Sequence, residues 1–157
     1  MQDNKDRFWT LVTNMDVCML ATHSGEKIRS RPMSAIARPE DNDIVMLTDR
    51  RFVKDNEIEQ NKSINVSYSN GSGTFISVEG LADIVDDRGL ISECWSPAAQ
   101  LFWPGGADDP NVVAIVVTPR DVEYWESDNK FIAGMKFAYG LVTRTTPSLG
   151  ESRKLRL

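Results

Sequence analysis

The sequence predicts an α+β fold that is mainly β: a small barrel of about six strands with helices inserted at its periphery. Three observations predict it. Short apolar or alternating runs recur at close spacing: "VCMLAT", "IVMLTD", "SINVSYS", "TFISVEGLADIV" and "VVAIVVT". Turn signals such as "HSGE" and "NGSG" separate them. Too few helical segments lie between these runs to build βαβ units.

Taken in order, Asp3 to Met15 reads as a helix, because Phe8, Leu11, Val12 and Met15 fall on one face. Asp3 is its candidate cap. Val17 to Thr22 is a short apolar strand, and "HSGE" turns it into a second strand, Ile28 to Ile36, as a hairpin. Ile44 to Asp49 is the third strand. "RRFVKDNEIEQN" is polar and helix-compatible. Ser63 to Ser69 alternates as a half-buried strand should. "TFISVEGLADIV" is long, with Gly80 marking a bulge or bend. "DDRGLISECWS" reads as a short helix, and "PAAQLFWPGGADDPN" as a helical turn followed by a Pro/Gly loop. Val112 to Thr118 is the most strand-like run, and Asp121 to Trp125 continues extended after Pro119. The polar and basic stretch over 144–157 lacks periodicity and is expected to be a flexible tail behind a single domain over 1–143.

The 157 residues suit one domain, and 41% hydrophobic residues are enough for a packed core. The net charge of −5 and pI of about 4.9 argue against nucleic-acid or anionic-membrane binding, which needs concentrated positive charge. No apolar run approaches the roughly 20 residues that span a bilayer. Cys18 and Cys94 are far apart, fit no metal-ligand spacing, and suit a reducing cytoplasm. The one histidine, His23, sits at a turn. No nucleophile–base arrangement and no metal set can be assembled, so hard chemistry would fall to a cofactor.

The basic residues stand out against this acidic background. In "IRSRPMSAI", Arg29 and Arg31 share a strand face with Met33. Arg50, Arg51 and Lys54 follow the third strand into the helix-compatible stretch, where a helix N-terminus with Lys54 and Thr48 would suit a phosphate monoester. The other reading, that the arginines keep an edge strand soluble, is the commoner meaning of such a pattern and is open at this point. The tryptophans, four in all, read as core or interface mass, with some available to stack on a planar ring.

Four blocks make a family recognisable: "LATHSGEKIRSRPMSA", "LTDRRFVKDNEIEQN", "GTFISVEGLADIVDD", and "WSPAAQLFWPGGADDP" followed by "VEYW". With them the chain resembles the pyridoxamine 5'-phosphate oxidase-related split-barrel flavoproteins, in particular the general stress protein 26 branch. The resemblance implies a six-stranded antiparallel split barrel, a homodimer, and FMN held between subunits. It implies that Arg31, Pro32, Met33 and Ser34 run along the flavin, with Arg31 at the phosphate. Leu47 and Thr48 match the next strand's cofactor contact, and Lys54 a second phosphate-binding cation. Phe75 matches a cofactor-lining position, and Trp125 an aromatic supplied by the partner subunit. The implied function is a flavin-dependent oxidoreductase of unknown substrate with a link to stress responses, or else a non-catalytic flavin-binding stress protein. One departure matters: the basic Arg-Leu-His-Asp-Arg block that follows the tryptophan in true oxidases is replaced by "ESDNKFIAGMKFAYG". That argues against pyridoxamine phosphate oxidation itself. The apolar residues there (Phe131, Ile132, Met135, Phe137) would suit a dimer contact instead.

Overall fold

A computed structural model describes residues 2–52, 57–127 and 151–157. Eight strands among them form one antiparallel sheet. They are β1 (Val17–Ser24), β2 (Lys27–Ser34), β3 (Ile36–Arg38), β4 (Asp43–Asp49), β5 (Ser63–Ser69), β6 (Thr74–Val85), β7 (Val112–Glu126) and β8 (Glu151–Arg156). The order is β2-β1-β5-β6-β7-β4-β3, with β8 also on β7. The path ends at β2 and β3, so the barrel does not close, as a split barrel requires. The expected six strands become eight for two reasons. The second predicted strand breaks at Ala35 into β2 and β3, and the chain's end adds β8.

That last strand corrects the expected tail over Glu151–Arg156. The stretch lacks apolar periodicity because it lies along β7 as a mostly solvated strand: Leu155 packs on the core, Lys154 pairs with Glu123 at 3.3 Å, and backbone pairing runs from Asp121 to Glu126. Pairing with an existing strand supplies what side-chain burial does not.

Helix α1 (Gln2–Thr13) places Phe8 and Val12 in the barrel interior, as the spacing predicts, together with Trp9, which it does not, while Leu11 and the following Met15 pack against that core only partly buried. Inward-facing Leu20, Ile44, Met46, Val66, Val78 and Tyr124 complete that core. A second, smaller core packs Val45, Val112 and Ala114 against Ile91 and Cys94 of the segment α3 (Arg88–Glu93) and its cap. Strand β4 is therefore buried on both faces, which is why it reads as a continuous apolar run. Helix α3 is capped by Asp87, whose side chain accepts from Leu90 N; α4 (Pro97–Phe102) is capped by Ser96, with Pro97 in the first turn.

Gly80 performs the role its position suggested. The β6–β7 register shifts between Glu79 and Gly80, where Gly80 faces Pro119. A Cβ at Gly80 would stand 2.5 Å from the Thr118 carbonyl oxygen, so only glycine allows this approach. The kink lets β7 run its full 15 residues, pairing β4 with one half and β8 with the other.

Candidate functional site

The open seam of the barrel holds two adjoining compartments. The first, about 390 Å³, is lined by Leu20, Arg29, Arg31, Thr48, Glu57 and Ile58 among others. The second, about 550 Å³, is lined by Ser34, Ile36, Leu47, Ala99, Phe102, Trp103 and neighbours. Pro32, Met33, Thr48 and Phe52 border both, so they form one cleft with a cationic end and an apolar end. Each lies in the range of small-ligand sites, about 300–1,000 Å³.

Strand register makes the cationic end. On β1, Cys18, Leu20 and Thr22 are buried, and their β2 partners are Met33, Arg31 and Arg29. The arginines thus occupy the face that elsewhere looks into the core. At the end of the sheet that face meets the cleft. Arg31 Nη2 donates to Glu57 Oε2 at 2.7 Å and to Thr22 Oγ1, Thr22 in turn donates to Glu57, and Arg29 Nε lies 3.5 Å from Glu57 Oε1. The Thr22 hydroxyl and the Arg31 guanidinium hold the Glu57 carboxyl below its ordinary range. Glu57 opens the short helix α2 (Glu57–Gln60).

The apolar end has one fixed polar wall. Asp49, 5% exposed, accepts from Arg51 N at 2.8 Å, Arg51 Nε at 2.9 Å, Arg51 Nη2 at 2.6 Å and Trp103 Nε1 at 3.3 Å. Arg51 above all holds the Asp49 carboxyl well below the usual range. Trp103 in turn stands 6.2 Å from Trp95 and 6.0 Å from Phe102, ring centre to ring centre. Among the described residues, no group of three His, Cys, Asp or Glu side chains is placed to hold a metal.

A family model described as pyridoxamine 5'-phosphate oxidase like matches residues 3–148. The chain belongs to this pyridoxamine 5'-phosphate oxidase-like family. Among curated relatives, General stress protein 26 of Bacillus subtilis is 28% identical over 133 residues, 82% of this chain and 93% of that one. Protein bli-3 of Neurospora crassa is 26% identical over 123 residues, covering 72% of this chain; the matched region spans only 59% of that longer protein. Two solved structures share the fold. A general stress protein 26 structure from Jannaschia sp. CCS1 superposes with a TM-score of 0.77, 22% identity and full coverage of both chains. A general stress FMN/FAD binding protein from Xanthomonas citri superposes with a TM-score of 0.72 at 20% identity, covering 83% of this chain and 93% of that one.

Of the family positions expected from the sequence, Arg31, Pro32, Met33, Ser34, Leu47 and Thr48 all line this cleft. Phe75 and Trp125 do not line it within one chain. They are cross-strand partners on β6 and β7, on the face opposite the core residues Ile76 and Tyr124. Lys54 and the apolar residues Phe131, Ile132, Met135 and Phe137 lie outside the described residues. Sequence reading missed Glu57, Asp49 and Phe52, and named Trp103 only as one of several aromatics available to stack on a planar ring. The available signal for Glu57 was its opposite sign to two arginines on one strand face. Asp49 carried a signal too, standing two residues before Arg51 with an aromatic-rich block still to be placed.

Proposed function

We propose that this protein binds FMN in the cleft and acts as a flavin-dependent oxidoreductase, in the cytoplasm and as a homodimer. One observation carries the reading: a two-arginine end and an aromatic, aliphatic end are joined in one cleft along Arg31–Ser34 and Leu47–Thr48. A flavin mononucleotide has the same polarity, a phosphate at one end and a flat ring at the other. Arg31 and Arg29 offer donors to the phosphate. Met33, Leu47, Phe52 and Trp103 offer apolar surface to the ring. The FMN/FAD binding named for the Xanthomonas citri protein supports the choice of ligand. When bound, a flavin supplies the hydride and electron chemistry itself, leaving the chain to bind, orient and exclude water.

The dimer reading is supported by the sheet's other face. There Val17 is 58% exposed, Met19 39% and Phe75 50%, beside Trp125. A second copy covering this face would bring Phe75 and Trp125 toward its neighbour's cleft.

A second reading, a non-catalytic flavin-binding stress protein, is favoured by the state of the cleft carboxylates. Asp49, through Arg51 above all, and Glu57, through the Thr22 hydroxyl and then Arg31, are both held below the ordinary carboxylate range, so neither is ready to donate a proton. The test has two stages. The purified protein is examined for visible flavin absorption bands and titrated with FMN, then assayed for NAD(P)H oxidation. A protein that is colourless and fails to take up added FMN refutes both readings. FMN binding without turnover against any reductant or acceptor selects the second.

A further inference from the structure

We propose that Glu57 is the positioning residue of the phosphate site and that Arg29 is that site's second guanidinium. The proposal rests on the flavin reading above and deepens it. Arg29 and Arg31 stand two residues apart on one face of β2, where like charges repel and long side chains sample many rotamers. Glu57 resolves both problems. Its Oε2 takes Arg31 Nη2 at 2.7 Å, its Oε1 lies 3.5 Å from Arg29 Nε, and the Thr22 hydroxyl joins Arg31 to the same carboxylate. A carboxylate has lone pairs for all three partners.

Depth decides what the cluster does. The Glu57 side chain is 13% exposed, Arg31 43% and Arg29 67%. All three side chains line the cationic compartment, the carboxylate as its least exposed member and the guanidiniums nearer solvent. Among the described residues, Arg31 commits Nη2 to the cluster, leaving Nε and Nη1, and Arg29 commits Nε, leaving both Nη atoms. Each guanidinium is thus held by the buried carboxylate and keeps donors for an anion in the cleft. Two guanidiniums less one carboxylate leave one net positive charge, enough to favour a phosphate while keeping the arginines from repelling each other. An acid that merely blocked the arginines would cover their exposed edges instead.

The experiment compares FMN with riboflavin, which carries the same ring and ribityl chain without the phosphate. Both are titrated by flavin fluorescence into the full chain and into Glu57→Gln, Thr22→Val and Arg29→Ala at fixed salt, with melting temperature as the check on folding. Glu57→Gln and Arg29→Ala are expected to weaken FMN about tenfold, the loss of one charge-assisted contact, while riboflavin moves by less than about twofold. Thr22→Val is expected to shift FMN in the same direction by a smaller factor, and it tests the proposal even if Glu57→Gln does not fold. Tighter FMN binding by Glu57→Gln would mean that Glu57 competes with the phosphate, and overturns the proposal. Equal losses for FMN and riboflavin, or no loss for either, overturn it as well. A parent protein with no preference for FMN over riboflavin refutes the phosphate site itself. A parent that keeps its preference beside unaffected variants removes only the role given to Glu57 and Arg29.

Discussion

Asp49→Asn isolates the clamp on the apolar wall of the cleft. Asn keeps the shape and one carbonyl oxygen, so Arg51 N and Arg51 Nε can still be served at the Oδ1 position. The amide nitrogen at the other position cannot accept from Arg51 Nη2 or Trp103 Nε1. Losing the first is cheap, because the Arg51 side chain is 65% exposed and turns to water. Losing the indole bond costs about 1 kcal/mol, and weakening the remaining charge-assisted pair about as much again. The sum, about 2 kcal/mol, corresponds to a fall in melting temperature of about 4–8 °C for a chain of this size. The pH dependence follows from Arg51, the largest cause of Asp49's depressed titration. A carboxylate with a lowered folded value stabilises fully above its unfolded range, near pH 4, and loses that stabilisation as pH falls toward the folded value. Thermal unfolding followed by circular dichroism should therefore show the full gap between parent and variant at pH 7 and a narrower one below about pH 4. Equal melting temperatures at pH 7, or a gap that widens on acidification, would refute the account.

Other consequences are checked as simply. Phe8 is fully buried, so Phe8→Ala should cost about 3–5 kcal/mol in urea unfolding; a loss below about 1 kcal/mol would mean that α1 is not seated in the barrel. Gly80→Ala drives a Cβ against the Thr118 carbonyl and should cost about 2 kcal/mol, whereas a neutral variant would show that the β6–β7 kink yields easily. Burial pushes the Cys18 thiol up to about 12 and the Cys94 thiol upward too. Native protein at pH 8 should resist iodoacetamide, with both thiols labelled only on unfolding; rapid native labelling would contradict the packing.

What the sequence disclosed was what alternation and punctuation can disclose. Ser63–Ser69 shows its buried face at every second residue, and Gly80 announces its kink; Val17–Thr22 reads as a short apolar run, yet Val17 and Met19 stand exposed on the sheet's outer face. The pairing of Arg31–Ser34 with Leu47–Thr48 was reached through family blocks, then found to line one cleft. Glu57 escaped because a carboxylate in "NEIEQ" looks like the solvated side of a helix until the β1–β2 hairpin is laid beside it. That neighbourhood is non-local, and no window of sequence contains it. The final strand escaped for another reason: Ser152, Lys154 and Arg156 alternate with Arg153 and Leu155, but only one of these is apolar. Its partners Glu123 and Asp121 supply the complement from a distant part of the chain.

The two ends of the cleft rest on different packed units. Leu20 and Ile58, beneath the arginines, belong to the barrel core; Leu47, Cys94 and Trp103, at the apolar end, belong to the smaller core under α3. A ligand lying along the cleft therefore staples one unit to the other. Partial opening of α3 and α4, which leaves the barrel intact, must first release the ligand, and becomes rarer by the factor one plus ligand concentration over Kd. Saturation should slow amide exchange in α3 and α4, segments that make no contact with the phosphate end.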